Sequence, residues 1–182
     1  MGSDDALSDA PVEVVVSAQP VFERPGDAAA SQEWCRRLLS MYRAWAGQRG
    51  MQLSEAESAA SRPLWLVVSG FGCARLLAGE PGLHVNDYEE REEESRVIAR
   101  VVVAPTPYAL PESGQERDAR LMAVLEAAPA TTAVVRRYRD GGSPLVRDLK
   151  HGWRTGRADL VFSGHFDILG DVSRVVAEER RA

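Results

Sequence analysis

Between positions 87 and 94 the chain carries six carboxylates, Asp87, Glu89, Glu90, Glu92, Glu93 and Glu94, interrupted by Tyr88 and one arginine, Arg91. Six negative charges and one positive give a local charge of -5, equal to the net charge of the whole chain of 182 residues. Such a run reads either as a solvated loop or as an acidic docking surface for a basic partner, such as a protein with a basic surface. A second polar stretch, mostly basic, holds Asp148, Lys150, Arg154 and Arg157. A solvated face accounts for it, and Lys150, Arg154 and Arg157 are the candidate contacts to RNA.

Other residues able to do chemistry are scattered. His84, His151 and His165 fall in different elements with no ligand spacing, and no cysteine cluster accompanies them, so no metal site is expected. Cys35 and Cys73 sit in predicted helices among apolar neighbours, which gives neither a disulfide framework nor a zinc pattern and implies a reducing, cytoplasmic setting. Gly70-Phe71-Gly72 opens a helix after a strand but lacks the third glycine and the lysine of a phosphate loop, so it reads as a helix-start turn. No cofactor signature and no nucleophile or acid/base pair is displayed, and an enzyme is not expected.

With 45% hydrophobic residues the chain can bury one core of ordinary size. A net charge of -5 and a pI near 5.3 argue against general nucleic-acid binding, DNA in particular. No apolar run approaches the roughly 20 residues of a spanning helix, so no membrane role is expected. Residues 1–10 carry three aspartates and no apolar run, as a disordered tail would.

The elements that would position these residues follow from periodicity. Val12 to Ala18, valine-rich and bounded by Pro11 and Pro20, reads as a buried strand. Asp27 is placed to cap a helix running through Arg49 to Gly50, in which Trp34, Leu38, Met41 and Trp45 fall on one face. Burying that stripe, at roughly 25 cal/mol per Å² of apolar area, is worth several kcal/mol. Strands are predicted at Gln52–Glu57 and Leu64–Ser69, with a polar turn ending at Pro63 between them. A short helix follows over Phe71–Ala78, and then a strand over Arg96–Ala104. Residues 106–132 read as a connector with one helix near Glu116–Ala127. Strands at Thr132–Tyr138 and Val146–Leu149 flank a Gly141–Pro144 turn, and a helix from about Phe166 to Glu179 ends the chain. One mixed sheet backed by helices, an α+β fold, is the economical arrangement.

Trp34, Leu38, Leu39, Met41, Tyr42, Trp45, Ala46, Arg49 and Gly50 form the pattern W-x3-L-L-x-M-Y-x2-W-A-x2-R-G, which resembles the hallmark helix of bacterial class I peptide chain release factors, nearest to the type that reads UGA and UAA. Gly82-Leu83-His84 and the strand ending Val101-Val102-Val103-Ala104-Pro105 are similar to that family's codon-recognition domain. Val135-Arg136-Arg137-Tyr138, then Val146-Arg147-Asp148-Leu149 with Gly152, resemble its I-R-S-Y and I-K-D-L-R-x-G strings. Thr155 to Asp167 continues in register, with Val161, Gly164, Phe166 and Asp167 at matching places.

The resemblance implies a codon-recognition domain over 11–105 and a C-terminal unit over 133–182 packed on it, with 106–132 standing where the family inserts its catalytic domain. Members of the family release the nascent peptide through a Gly-Gly-Gln loop, which occurs nowhere in this chain. Ser113-Gly114-Gln115 and Gly141-Gly142-Ser143 are the nearest strings, and both read as loop formers. The acidic run stands where the family carries its codon-reading Ser-Pro-Phe tripeptide. Carboxylates there would repel RNA phosphates over about 8 Å at physiological salt. The resemblance therefore implies a release-factor-like protein without peptidyl-tRNA hydrolysis, acting by binding, with the ribosome as partner. The alternative is a scaffold reused for protein interaction in a bacterial regulatory or defence system.

Overall fold

The computed structural model describes residues 12–22, 27–55, 64–90, 93–107 and 110–170. The predicted N-terminal tail, the turn ending at Pro63 and most of the predicted terminal helix lie outside them. Eight strands among the described residues form one sheet: β1 (Val12–Val21), β2 (Gln52–Glu55), β3 (Leu64–Gly70), β4 (Gly82–Glu90), β5 (Glu93–Pro105), β6 (Val134–Arg139), β7 (Leu145–Asp148) and β8 (Arg154–Thr155). Their order is β2-β3-β1-β5-β4-β6-β7-β8. Every neighbouring pair is antiparallel except β4 with β6, which run parallel. The helices are α1 (Ala28–Gln48), α2 (Cys73–Leu77), α3 (Gln115–Ala127) and the single turn α4 (Ala158–Leu160), which runs into a π-helical turn, Val161–His165. The expected mixed sheet with packed helices, α+β, is the fold. No helix of the described residues is long and apolar enough to cross a membrane.

The main core lies between α1 and one sheet face. Trp34, Leu38, Met41, Tyr42 and Trp45 are buried there against Val14, Val16, Leu66, Val68, Ala99 and Val101. On β1 the valines alternate in direction, Val14 and Val16 toward α1 and Val15 toward α3 on the opposite face. A strand covered on both faces reads as a continuous apolar run, which is why its valines show little polar alternation. Leu121 and Leu125 of α3 fill the second cluster with Val15, Trp65, Val67, Val102 and Ala104. Segment 106–132 thus contributes a packed helix.

Helix α1 starts after Asp27, but the Asp27 side chain makes no cap hydrogen bond. Only its carbonyl accepts, from Ser31 N at 2.8 Å. Gly50 ends the helix at a φ of 65° as predicted.

The structure also departs from the sequence reading at the acidic run and ahead of the predicted terminal helix. The segment read as an acidic loop is the end of a long hairpin, with Asp87–Glu90 on β4 and Glu93 and Glu94 on β5. Glutamate and aspartate disfavour strands weakly, and pairing with β5 through Glu90, with β6 added as far as Asp87, overrides that preference. The predicted terminal helix, most of which lies outside the described residues, is preceded by a short helical stretch not read from the sequence, residues 158–165. Gly164 breaks it with a φ of 93°, where an added Cβ would stand 2.4 Å from the backbone nitrogen of Trp45. Gly164→Ala is expected to cost about 1–3 kcal/mol by overpacking α1 against this turn. A urea-unfolding midpoint equal to that of the parent chain would show that α1 shifts freely there.

Candidate functional site

The tip of the β4/β5 hairpin holds the acidic run. Register sets Asp87 opposite Arg96, Glu89 opposite Glu94, and Glu90 opposite Glu93. Two successive rungs therefore pair like charges, an arrangement that costs sheet stability. Asp87 is neutralised by Arg96 at 2.6 Å and by Arg137 at 3.6 Å. Glu89 and Glu94 are exposed. Glu92 and the side chains of Glu90 and Glu93 lie outside the described residues. A groove of about 410 Å³ opens beside the hairpin, lined by Asp27, Asp87, Glu89, Glu94 and Asp140, with Arg96 and Arg139 as the cations. Asp140 is fixed by Arg37 at 2.6 Å and by the Asn86 amide at 3.0 Å. The groove can attract a basic group.

The basic candidates are not gathered into one site. Lys150, in the turn after β7, donates to the Ala78 carbonyl at 3.4 Å. Arg157 is paired with Asp159 at 2.7 Å. Arg154 stands exposed on β8. The histidines are equally separate. His84 is buried, His151 contacts Asp148 at 3.1 Å, and His165 contacts Ser163 at 3.1 Å. No group of three metal-ligating side chains occurs among the described residues. Gly114 precedes α3 and Gln115 is its first residue, while Gly141–Ser143 form exposed bends.

What residue chemistry alone missed is a buried polar network on the α1 side of the sheet. The Arg136 guanidinium donates from Nη2 to Glu80 Oε1 and to Asp148 Oδ2, each at 2.8 Å, and from Nη1 to the Tyr138 hydroxyl at 3.2 Å. The rings of Trp153 and Phe166 lie 5.2 and 5.1 Å from its carbon. Tyr42 donates to Glu80 Oε2 at 2.8 Å. His84 donates from Nε2 to the Glu80 carbonyl at 2.9 Å, and its Nδ1 accepts from Tyr138 at 3.2 Å. Burial favours the neutral ring and pulls the His84 pKa down to about 4, although Glu80 opposes the shift. Desolvation pushes the carboxyls of Glu80 and Asp148 up, yet the Arg136 charge prevails and leaves both below the usual carboxylate range. Both carboxylates are held by the one guanidinium, so the network ties α1, β4, β6 and β7 together. A signal for it did exist in the sequence. His84, Arg136, Tyr138 and Asp148 all belong to the release-factor-like strings.

His84 gives a pH prediction. Its folded pKa near 4 lies below the ordinary 6.5, so the unfolded chain binds the extra proton between these values and stability falls as pH drops. At pH 5 the loss should reach roughly 2 kcal/mol relative to pH 7. Unfolding titrations should show His84→Gln with a flatter slope over that window. An equal slope would assign the effect to another group.

A single sheet with α1 across one face and α3 across the other defines an α+β fold of release-factor type. Among solved structures it is similar to release factor RF2 of Thermus thermophilus, with a TM-score of 0.62 over 92% of this chain and 68% of that chain. At 15% sequence identity the likeness is one of fold. No protein-family model matches the sequence, and no curated protein matches it.

Proposed function

We propose that this chain is a release-factor-like protein that acts by binding, without peptidyl-tRNA hydrolysis, and that its place of action is the ribosome in translation termination. The observation that carries the reading is a release-factor fold retained over nearly all of the chain without a Gly-Gly-Gln loop in the sequence. Between β5 and β6, where the resemblance places the inserted catalytic domain, one helix packs on the sheet instead. On this reading the chain resembles the class I type without the catalytic insert, acts in the cytoplasm, and works without a metal or cofactor.

A second reading has its own support. The like-charged rungs Glu89–Glu94 and Glu90–Glu93 at the hairpin tip suit a basic protein surface better than RNA phosphates. In that reading the scaffold serves as a protein-interaction module in a regulatory or defence system.

Co-sedimentation with 70S ribosomes programmed with a stop or a sense codon, over a salt series, separates the two. The first reading expects saturable pelleting that weakens with salt, and no peptide release from stop-programmed complexes. Absence of pelleting at low salt would overturn it and leave the protein-interaction module. Peptide release would overturn both.

A further inference from the structure

The sheet carries a second charged surface away from the acidic tip. Side chains paired directly across adjacent strands project to the same face. Arg137 on β6 is opposite Arg147 on β7, and Arg147 is opposite Arg154 on β8. The three form one row across three strands, about 10 Å from first to last at the usual strand spacing. Val146 and Asp148, flanking Arg147, are buried on the α1 side, so the row stands on the other face. Helix α3 packs on that face over β1 and β5. Arg147 and Arg154 are exposed, and the Arg137 side chain is 41% exposed. Leu149, beyond Arg147 on the same side of the chain, is 53% exposed, so this end of the sheet lies open.

Like charges directly opposite one another destabilise a sheet. Among the described residues Arg137 reaches Asp87 at 3.6 Å, and neither Arg147 nor Arg154 has a carboxylate partner. An anion laid across the row would turn the repulsion into attraction. Planar guanidiniums match phosphate oxygens two at a time, and their regular spacing suits a chain bearing one anion per unit. Backbone phosphates are held by charge without an apolar socket, whereas an acidic protein needs buried apolar area for a stable interface. The acidic run meets the row at one point, where Asp87 pairs with Arg137. Arg147 and Arg154 stand on β7 and β8, two and three strands from β4 and so about 10 Å or more away, beyond the roughly 8 Å reach of each charge at physiological salt.

We propose that Arg137, Arg147 and Arg154 form a stripe that binds the phosphate backbone of an RNA strand. The proposal deepens the ribosomal reading and rests on it for the source of the RNA. It also revises the basic candidates, since Arg154 joins the row while Lys150 and Arg157 are engaged elsewhere.

The test is binding of labelled single-stranded polyuridine by the full chain and by the double variant Arg147→Glu/Arg154→Glu, over a salt series. The variant should bind at least about tenfold more weakly, and the slope of log affinity against log salt should shrink by about 1.4, roughly 0.7 for each lost phosphate contact. Its thermal midpoint should stay close to the parent's, because the rung shared with Arg137 becomes a pair of opposite charges while the β7–β8 rung remains like-charged, which separates lost binding from lost folding. Arg36→Glu, on the exposed side of α1, should leave binding unchanged. Equal binding by parent and double variant, or none by the parent, overturns the proposal. Polyglutamate competing as well as polyuridine overturns the RNA assignment in favour of an acidic protein. Ribosome pelleting is read separately. Equal pelleting of parent and double variant defeats the stripe but keeps the ribosomal reading. Polyuridine binding that is lost in the variant, with no pelleting of either protein, defeats that reading and keeps the stripe.

Discussion

Replacing Arg136 with alanine is expected to destabilise the protein by about 3–5 kcal/mol, the usual cost of leaving buried charges unpaired. That is a large share of the 5–15 kcal/mol by which domains are typically stable. The side chain is 1% exposed and lies between Glu80 and Asp148, themselves 3% and 2% exposed. Without it two carboxylates face each other in a dry interior, with the Trp153 and Phe166 rings left against a cavity. The acids' share of the pH response should change sign as well. In the parent chain Arg136 holds both acids below their ordinary pKa, so their contribution is present at neutral pH and is lost as pH falls through the depressed values. In the variant desolvation is opposed only by His84 and Tyr42 at Glu80 and by His151 at Asp148, so both pKa values rise and lowering the pH relieves the strain. Urea unfolding at pH 7 and pH 5 reads both effects. A variant within about 1 kcal/mol of the parent at pH 7 would show that water reaches the site and that the network is not closed.

Helix α1 was legible because it buries a stripe at helical spacing, and the valine strand because a strand covered on both faces is a continuous apolar run, here bounded by prolines. Trp34, Leu38, Met41 and Trp45 recur at helical spacing, and Gly50 supplies the left-handed stop. Strand β4 was not legible. Its second half is Asn86 to Glu90, a string whose composition favours loops, and it becomes a strand because β5 pairs with all of it and β6 with Asn86 and Asp87. The partner on β6 is about 50 residues away in sequence, so no local window carries the signal.

The charged surfaces were partly legible for the same reason. The acidic run is contiguous and visible at once. The arginine row is not contiguous, since Arg137, Arg147 and Arg154 meet only through the register of three strands. Reading along the sequence grouped Arg154 with Lys150 and Arg157, which sit in a turn and beside Asp159. The release-factor-like strings were informative in another way. His84, Arg136, Tyr138 and Asp148 converge on the buried network, so what those strings carry is largely the bracing of the scaffold. That is why fold could be read with more assurance than function.

Trp45→Ala should cost about 3–5 kcal/mol, the range for emptying a large aromatic site in a core. Trp45 is fully buried and stacks on Phe166 with centroids 6.1 Å apart, and its Nε1 donates to Asp167 Oδ2 at 2.8 Å. The contact joins the end of α1 to the segment after β8, where Gly164 lets the backbones meet closely. Trp45→Phe separates packing from hydrogen bonding. The phenyl ring keeps much of the apolar volume, and Asp167 keeps its bond to Arg49, so that variant should lose only about 1–2 kcal/mol. Equal losses in the two variants would mean that the indole hydrogen bond, rather than the packing of the ring, holds this contact together, and no loss in either would remove Trp45 from the core. Because Trp45 lies on the α1 side of the sheet and the arginine row on the other, Trp45→Phe should bind polyuridine as the parent does. Weaker binding by that folded variant would mean that the arginine face depends on how tightly α1 is seated, and would make the scaffold itself part of the binding site.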